Sequence, residues 1–307
     1  MINTGILRTG AIGDLISLTP AIKLYAKSHP DEKLTLICGE TYAHVLRANP
    51  YISDIITFND RAIYQGSSAS KTVETLKLAY AMRKLDKCFI MHEDSRWELV
   101  ADIAGIMEKH TLRSEGNRYE RAMACMNVYG SSKPEYHPQN ECSHTLPDEY
   151  ICIACGGGQN TKQNTPQRRW KGYAELINRL SGNIVLIGTE EDSPNITDTD
   201  ITDLCGKTSL DEAYHIINGA KLFIGNDSGL LHLALCTNTE TIGVFTATDP
   251  QIVLPIDTNA VTVQSALPCS PCEKSGNTRT DCNSECVDEN IIDFILYSEK
   301  SGSLSNF

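Results

Sequence analysis

Asp14 closes the run Gly10-Ala11-Ile12-Gly13-Asp14, a carboxylate behind two glycines that follows a short apolar stretch. Gly10 and Gly13 let a backbone turn tightly and approach a ligand closely. A carboxylate there could take a proton from a bound hydroxyl, or it could simply cap the next helix, a position Asp favours. A helix N-terminus lowers a carboxylate's pKa, so Asp14 serves as a base only if burial works in the opposite direction. The run lacks the Gly-x-Gly-x-x-Gly spacing of a dinucleotide site.

Gly225-Asn226-Asp227-Ser228-Gly229-Leu230-Leu231-His232 points to a second kind of chemistry, anion binding. An apolar strand runs into a helix whose first turn carries Ser228 and Gly229, and free amides at such a terminus bind phosphate. His232 lies four residues after Ser228, on the same helix face. Asp227 would repel a diphosphate, so it either caps the helix or holds sugar hydroxyls. The plain alternative is a capped core helix with an incidental histidine.

Three further groups carry potential chemistry. Gly156-Gly157-Gly158, followed by Gln167-Arg168-Arg169-Trp170-Lys171, puts cations ahead of a helix, where they oppose its dipole. A bound phosphate gripped by Arg168 explains that placement; otherwise it is a solvated basic turn, with Trp170 in the core. In Gly206-Lys207-Thr208-Ser209-Leu210-Asp211, Asp211 is either an acceptor for a ribose diol or an ordinary first-turn carboxylate. Cys269-x2-Cys272-x9-Cys282-x3-Cys286 has the spacing of a closed tetrathiolate knuckle for structural zinc or iron. Free thiols or disulfides are the other readings. Four thiolates leave no open coordination position, so no catalytic role is expected of that element.

The elements that must hold these groups alternate. Residues 5–8, 34–38, 55–58 and 88–91 read as strands, with helices over 15–27, 41–49, 72–85 and 97–106. A proline-bearing stretch without period, 130–148, reads as a linker. The alternation resumes with strands at 150–154, 184–187, 222–224 and 241–245 and helices at 173–180, 210–218, 230–235 and 291–297. This is the pattern of parallel α/β sheets, and the motifs fall just after strands, where such sheets bind ligands. The expected organisation is an N-terminal domain over 1–148, a C-terminal domain over 149–297 with the cysteine element at 269–286, and a polar tail over 298–307.

Composition narrows the partners. A net charge of −12 over 307 residues argues against broad nucleic-acid binding. No apolar run approaches the roughly 20 residues of a membrane span, and the start, Met1-Ile2-Asn3-Thr4-Gly5, lacks signal-peptide character. A cytoplasmic location is the resulting expectation. Of the twelve cysteines, those outside the C-terminal group sit in apparent core segments, where Cys behaves as a small hydrophobe.

With these residues in view, the chain resembles glycosyltransferase family 9, the ADP-heptose:lipopolysaccharide heptosyltransferases. The likeness spans nearly the whole sequence. It runs through Ile6-Leu7-Arg8 to Gly13-Asp14, Thr19-Pro20, Asn49-Pro50-Tyr51-Ile52, Arg168-Arg169-Trp170 and Leu204-Cys205-Gly206-Lys207-Thr208-Ser209-Leu210. Its most specific block is Gly225 to Ala234, with Thr248-Asp249-Pro250 after the next strand. The resemblance implies a GT-B fold, two Rossmann-like domains facing across a cleft, and inverting transfer from a nucleotide-diphosphate sugar. It implies Asp14 as base and a phosphate role for Arg168, where the family usually has Lys. It places Ser228, Gly229 and His232 at the donor's phosphates, Asp227 beside the sugar, and Asp211 at the ribose, where Glu is often found; Gly13, Gly156 and Thr208 are further candidate donor contacts. No catalytic cofactor is implied, and a four-cysteine element occurs in some members. Thr246-Ala247 departs from the usual Gly-Pro, and Lys171 from the Pro after Trp.

The acceptor expected from the family is a glycan or lipid-linked glycan such as lipopolysaccharide core. Transfer to a protein or to a hydroxymethylated nucleobase, and an inactive nucleotide-sugar-binding protein, are the alternatives.

Overall fold

The computed structural model describes residues 1–112, 115–157, 168–194, 196, 200–258, 260–271 and 289–301. It forms two compact units, Met1–His137 and Pro138–Phe307.

The first unit runs β1 (Ile2–Leu7), α1 (Ile12–Ile16), α2 (Thr19–Ser28), β2 (Glu32–Gly39), β3 (Asp54–Phe58), α3 (Asp60–Gln65), α4 (Ser68–Met82), β4 (Lys87–Ile90), α5 (Arg96–Ile103), β5 (Glu108–Thr111) and α6 (Arg118–Cys125). Its sheet has the order β3-β2-β1-β4-β5, and every pairing is parallel. Leu7, Ile37, Ile90, Met82 and Trp97 lie in the core on one face. A single helix over 15–27 is not what forms. The chain breaks at Ser17 and Leu18, because Pro20 in the first turn of α2 has no amide to continue the ladder. Thr19 Oγ1 donates instead to the Ile16 carbonyl at 2.8 Å. The helix expected over 41–49 is a 3-10 segment, Glu40–Leu46.

The second unit runs β6 (Ile151–Ala154), α7 (Tyr173–Arg179), β7 (Ile184–Leu186), β8 (Ile201–Asp203), α8 (Leu210–Gly219), β9 (Leu222–Asn226), α9 (Gly229–Ala234), β10 (Glu240–Phe245), α10 (Pro250–Val253), β11 (Ala260–Gln264) and α11 (Glu289–Ser301). The strand order is β11-β10-β9-β6-β7-β8, again parallel throughout. β6 and β9 are buried along their whole length, as central strands covered on both faces must be. Trp170 packs in this core with Tyr173, Ile224 and Ile292.

The stretch over 130–148 is ordered by contacts at both ends. Glu135 donates its amide to Thr19 Oγ1 at 2.9 Å and pairs with Lys23. In the second unit, Gln139 and Asn140 donate their amides to Asp211 Oδ2 at 3.2 and 3.1 Å. Ser143 Oγ donates to Glu212 at 2.6 Å.

At the amino ends of the first sheet, Glu32 is nearly buried and accepts from Thr4 Oγ1 at 2.6 Å, Tyr25 OH at 2.9 Å and Lys87 Nζ at 2.8 Å. Burial opposes the charge, but these donors hold its carboxyl below the usual range. Its contribution to stability is therefore present above the ordinary carboxylate pKa and is lost as pH falls through the lowered one. Glu32→Gln leaves the Lys87 ammonium without its counter-charge. The expected loss is about 3–5 kcal/mol, measured by urea denaturation; a loss below about 1 kcal/mol would contradict this reading.

Candidate functional site

Each sheet reverses its winding once. In the first unit this happens between β1 and β4, and in the second between β6 and β9. The crossovers leave in opposite directions there, so the carboxyl ends of the two strands border an uncovered crevice where ligands bind.

In the first crevice Arg8 follows β1. Its guanidinium donates to the Met91 carbonyl beyond β4 at 2.5 Å and to Asp14 Oδ1 at 2.5 Å. Arg118, from α6, lies 3.7 Å from the same oxygen. Asp14 Oδ2 accepts the Ala11 amide at 3.0 Å. Gly10 is required twice over. Its φ is 126°, and a Cβ placed on it would lie 2.3 Å from Asp14 Oδ2. Gly13 is buried in α1. Burial raises the Asp14 pKa, but Arg8, Arg118 and the Ala11 amide outweigh it and bring the group from 3.8 to about 2. Burial and Arg8 also hold His92 below its usual range. Arg8 Nε is buried without a partner among the described residues.

In the second crevice Asn226 ends β9 and ties the strands together. Its amide nitrogen donates to the carbonyls of Cys155 at 2.8 Å and Gly156 at 3.1 Å, and its oxygen accepts the Trp170 amide at 3.3 Å. Gly156 is needed for space, since a Cβ would meet Asp192 Oδ2 at 2.2 Å. Arg169 donates to the Gly157 carbonyl at 2.9 Å and pairs with Asp192 at 2.9 Å. Arg168 instead approaches Asp227, at 3.6 Å. The buried Asp227 also accepts from Thr248 Oγ1 at 2.8 Å and has His232 Nε2 at 3.9 Å. Ser228, ahead of α9 and Gly229, has a buried hydroxyl with no partner among the described residues. A buried hydroxyl with no partner is costly, and this one is a donor able to meet an acceptor oxygen.

Thr208 and Asp211 stand apart from this pair of strands, beyond β8 at the start of α8. Asp211 Oδ2 also accepts Asn140 Nδ2 at 2.8 Å, so its carboxylate anchors the segment entering the second unit. Of the four C-terminal cysteines, Cys269 is exposed; Cys272, Cys282 and Cys286 lie outside the described residues. The thiols of Cys38 and Cys88 are buried and pushed up to about 12 by burial.

Within the first unit, Asp14 is thus gathered with Arg8 and Arg118, neither of which the motif reading had marked. Within the second, Gly156, Arg168, Asp227, Ser228, Gly229 and His232 meet around the β6–β9 crevice, along with the unmarked Asn226, Arg169, Asp192 and Thr248. Arg8, two residues before Gly10 at the end of an apolar run, carries a local signal. Arg118 and Asp192 carry no local signal.

The family model described as glycosyltransferase family 9 (heptosyltransferase) matches residues 111–282. Lipopolysaccharide heptosyltransferase 3 of Escherichia coli is 21% identical, over 77% of this chain and 81% of its own length. The crystal structure of the glycosyl transferase family 9 from Veillonella parvula DSM 2008 superposes with a TM-score of 0.77 at 16% identity, covering 98% of this chain and 97% of that one. The E. coli ADP-heptose lps heptosyltransferase II superposes with a TM-score of 0.68 at 18% identity, covering 86% and 90%. These are GT-B structures, and the two parallel-sheet units described above share that fold.

Because two arginines depress it, the Asp14 carboxyl should titrate near 2, well clear of neutral pH. It is therefore ionised throughout the range in which an enzyme is assayed. Arg118→Gln removes one of the stabilising charges and should raise that pKa, as followed by carboxyl-carbon NMR of the folded protein. An Asp14 titration at or above 3.8 in the unaltered chain, or one indifferent to Arg118→Gln, contradicts the electrostatic assignment.

Proposed function

This chain belongs to glycosyltransferase family 9 and transfers a sugar; on that premise we propose that it moves heptose from ADP-heptose, with inversion, onto a hydroxyl of lipopolysaccharide core or another glycan. The names of the similar proteins support the donor and the acceptor class. One observation supports the donor site most: the buried hydroxyl of Ser228, without a partner among the described residues, at a strand-reversal crevice. A diphosphate oxygen supplies the acceptor that this hydroxyl lacks. The amides around Gly229 and the Arg168 guanidinium take up the charge that develops as the diphosphate leaves.

Asp227 would oppose that charge if it were bare. Thr248 donates to it and the Arg168 guanidinium lies beside it, which leaves it free to orient the sugar. Gly13 and Gly156 allow close backbone approach. Thr208 and Asp211 are assigned to the nucleoside ribose, Asp211 sharing its carboxylate with the Gln139–Asn140 backbone. Catalysis in this reading needs no metal at the diphosphate, because Arg168 and backbone amides neutralise it. A cytoplasmic setting fits the unpaired buried thiols.

The reaction is a direct displacement. The acceptor oxygen forms a bond to the anomeric carbon as the bond from that carbon to the diphosphate oxygen breaks. The acceptor proton passes to Asp14. A carboxylate with so low a pKa is a weak base, so it receives the proton late, when the attacking oxygen is already partly bonded and more acidic.

Asp14→Asn should lower kcat by about 10²–10⁴-fold while leaving ADP affinity within about twofold in calorimetric titration. Near-normal turnover rules Asp14 out as the base. Arg168→Ala should chiefly weaken ADP-heptose binding, and an unchanged titration removes its phosphate role. The four cysteines, by their spacing, are read as a closed structural centre for zinc or iron. Elemental analysis of protein purified without added metal should find the metal in stoichiometric amount, and a stable metal-free protein contradicts the centre.

A further inference from the structure

The outward face of α4 is not used by the transfer chemistry. α4 buries Leu78, Ala79 and Met82, and the opposite side carries Val73 and Leu76, each 52% exposed, and Tyr80, 67% exposed. Positions 73, 76 and 80 follow helical spacing, so these side chains form one stripe.

Lys77, Arg83 and Lys84 are exposed along the same segment, whereas Lys71, seven residues before the buried Leu78, falls on the packed side of the helix. Arg83 stacks over the Tyr80 ring, its guanidinium carbon 3.5 Å from the centroid. No exposed carboxylate lies between Ser68 and Lys84. Glu74, the one acid there, is half-buried; it accepts the Asn59 amide at 2.8 Å and approaches Lys77 at 3.9 Å. In a chain with net charge −12, a helix face whose exposed groups are apolar, cationic or, at Thr72, an uncharged hydroxyl is a local inversion of sign. The neighbouring helix shows the contrast. Leu99 and Ile103 of α5 are also exposed, but they alternate with Glu98 and Asp102.

We infer that the outward face of α4 docks the protein peripherally on an anionic lipid surface. Val73, Leu76 and Tyr80 enter the headgroup layer, and Lys77, Arg83 and Lys84 contact its negative charge. This is how an interfacial helix divides its roles, and Tyr with an overlying Arg suits the boundary between apolar and wet regions. Charge complementarity separates this occupant from a second copy of the chain. A symmetric contact through this face would set the same three cations against themselves, whereas an anionic bilayer attracts each of them. The inference does not depend on the donor or acceptor assigned above.

The test is co-sedimentation of the full chain with vesicles of phosphatidylcholine alone or of phosphatidylcholine mixed with phosphatidylglycerol, neither containing any glycan. Binding is expected only to the phosphatidylglycerol vesicles, and it should weaken as added salt shortens the Debye length. Lys77→Glu with Lys84→Glu should lower the partition by about twentyfold or more. Leu76→Ser with Tyr80→Ser should also lower it, while the salt dependence persists. All four positions are exposed, so unchanged unfolding midpoints are expected and confirm that the variants fold. Equal binding to both vesicle types, no binding to either, or binding that survives the charge reversals overturns the inference. So does a wild-type dimer that these variants convert to monomer, which assigns the face to a second copy.

Discussion

A parallel sheet in which the chain reverses its winding leaves one pair of strand ends that no crossover covers. Both sheets of this protein have such a place, β1 beside β4 and β6 beside β9, and the candidate chemistry collects at these two. The constraint comes first and the side chains follow from it. Arg8 can reach both the Met91 carbonyl and Asp14 because β1 and β4 are neighbours in register. Asn226 can bind the carbonyls of Cys155 and Gly156 because β9 lies against β6. Glycines recur where these ends crowd together: a Cβ at Gly157, whose φ is 154°, would touch Asp227 and Ser228.

The two crevices solve opposite electrostatic problems. In the first, a carboxylate is kept ionised by two arginines although burial disfavours its charge. Orientation and constant ionisation are gained at the expense of basicity, so such a group serves a reaction in which proton transfer lags behind bond formation. In the second, a buried carboxylate sits beside the site expected to receive a diphosphate. Thr248, Arg168 and His232 surround Asp227, so the anion-binding groups at Ser228 are not opposed by a bare negative charge. On the proposed reading, arginines set beside these carboxylates let a chain with a net charge of −12 accept an anionic donor.

The central strands and the runs that follow them were legible in the sequence because a strand buried on both faces must be a continuous apolar run. β6 and β9 announce themselves that way, and Gly156 and Ser228 come directly after. Of the four edge strands only β3 was legible, as the run over 55–58. β5 is Glu-Lys-His-Thr and β8 is Ile-Thr-Asp; each pairs on one side only, so neither needs an apolar sequence. The break between α1 and α2 was missed because the apolar period continues through it, although Pro20 marked it. The arginines around Asp14 were hidden for a different reason. Arg118 is more than a hundred residues away in sequence and meets Asp14 only through the order of the strands. Asp211 was legible as a first-turn carboxylate, but its grip on Gln139 and Asn140 depends on where the preceding segment lies.

The donor site is tested most directly at the Ser228 hydroxyl, which is buried and has no partner among the described residues. A crystal structure of the protein with ADP bound tests it. The account predicts a diphosphate oxygen within hydrogen-bond distance of Ser228 Oγ, with the Arg168 guanidinium on the same phosphates. Nucleotide bound elsewhere, with the Ser228 hydroxyl still without a partner, would contradict it.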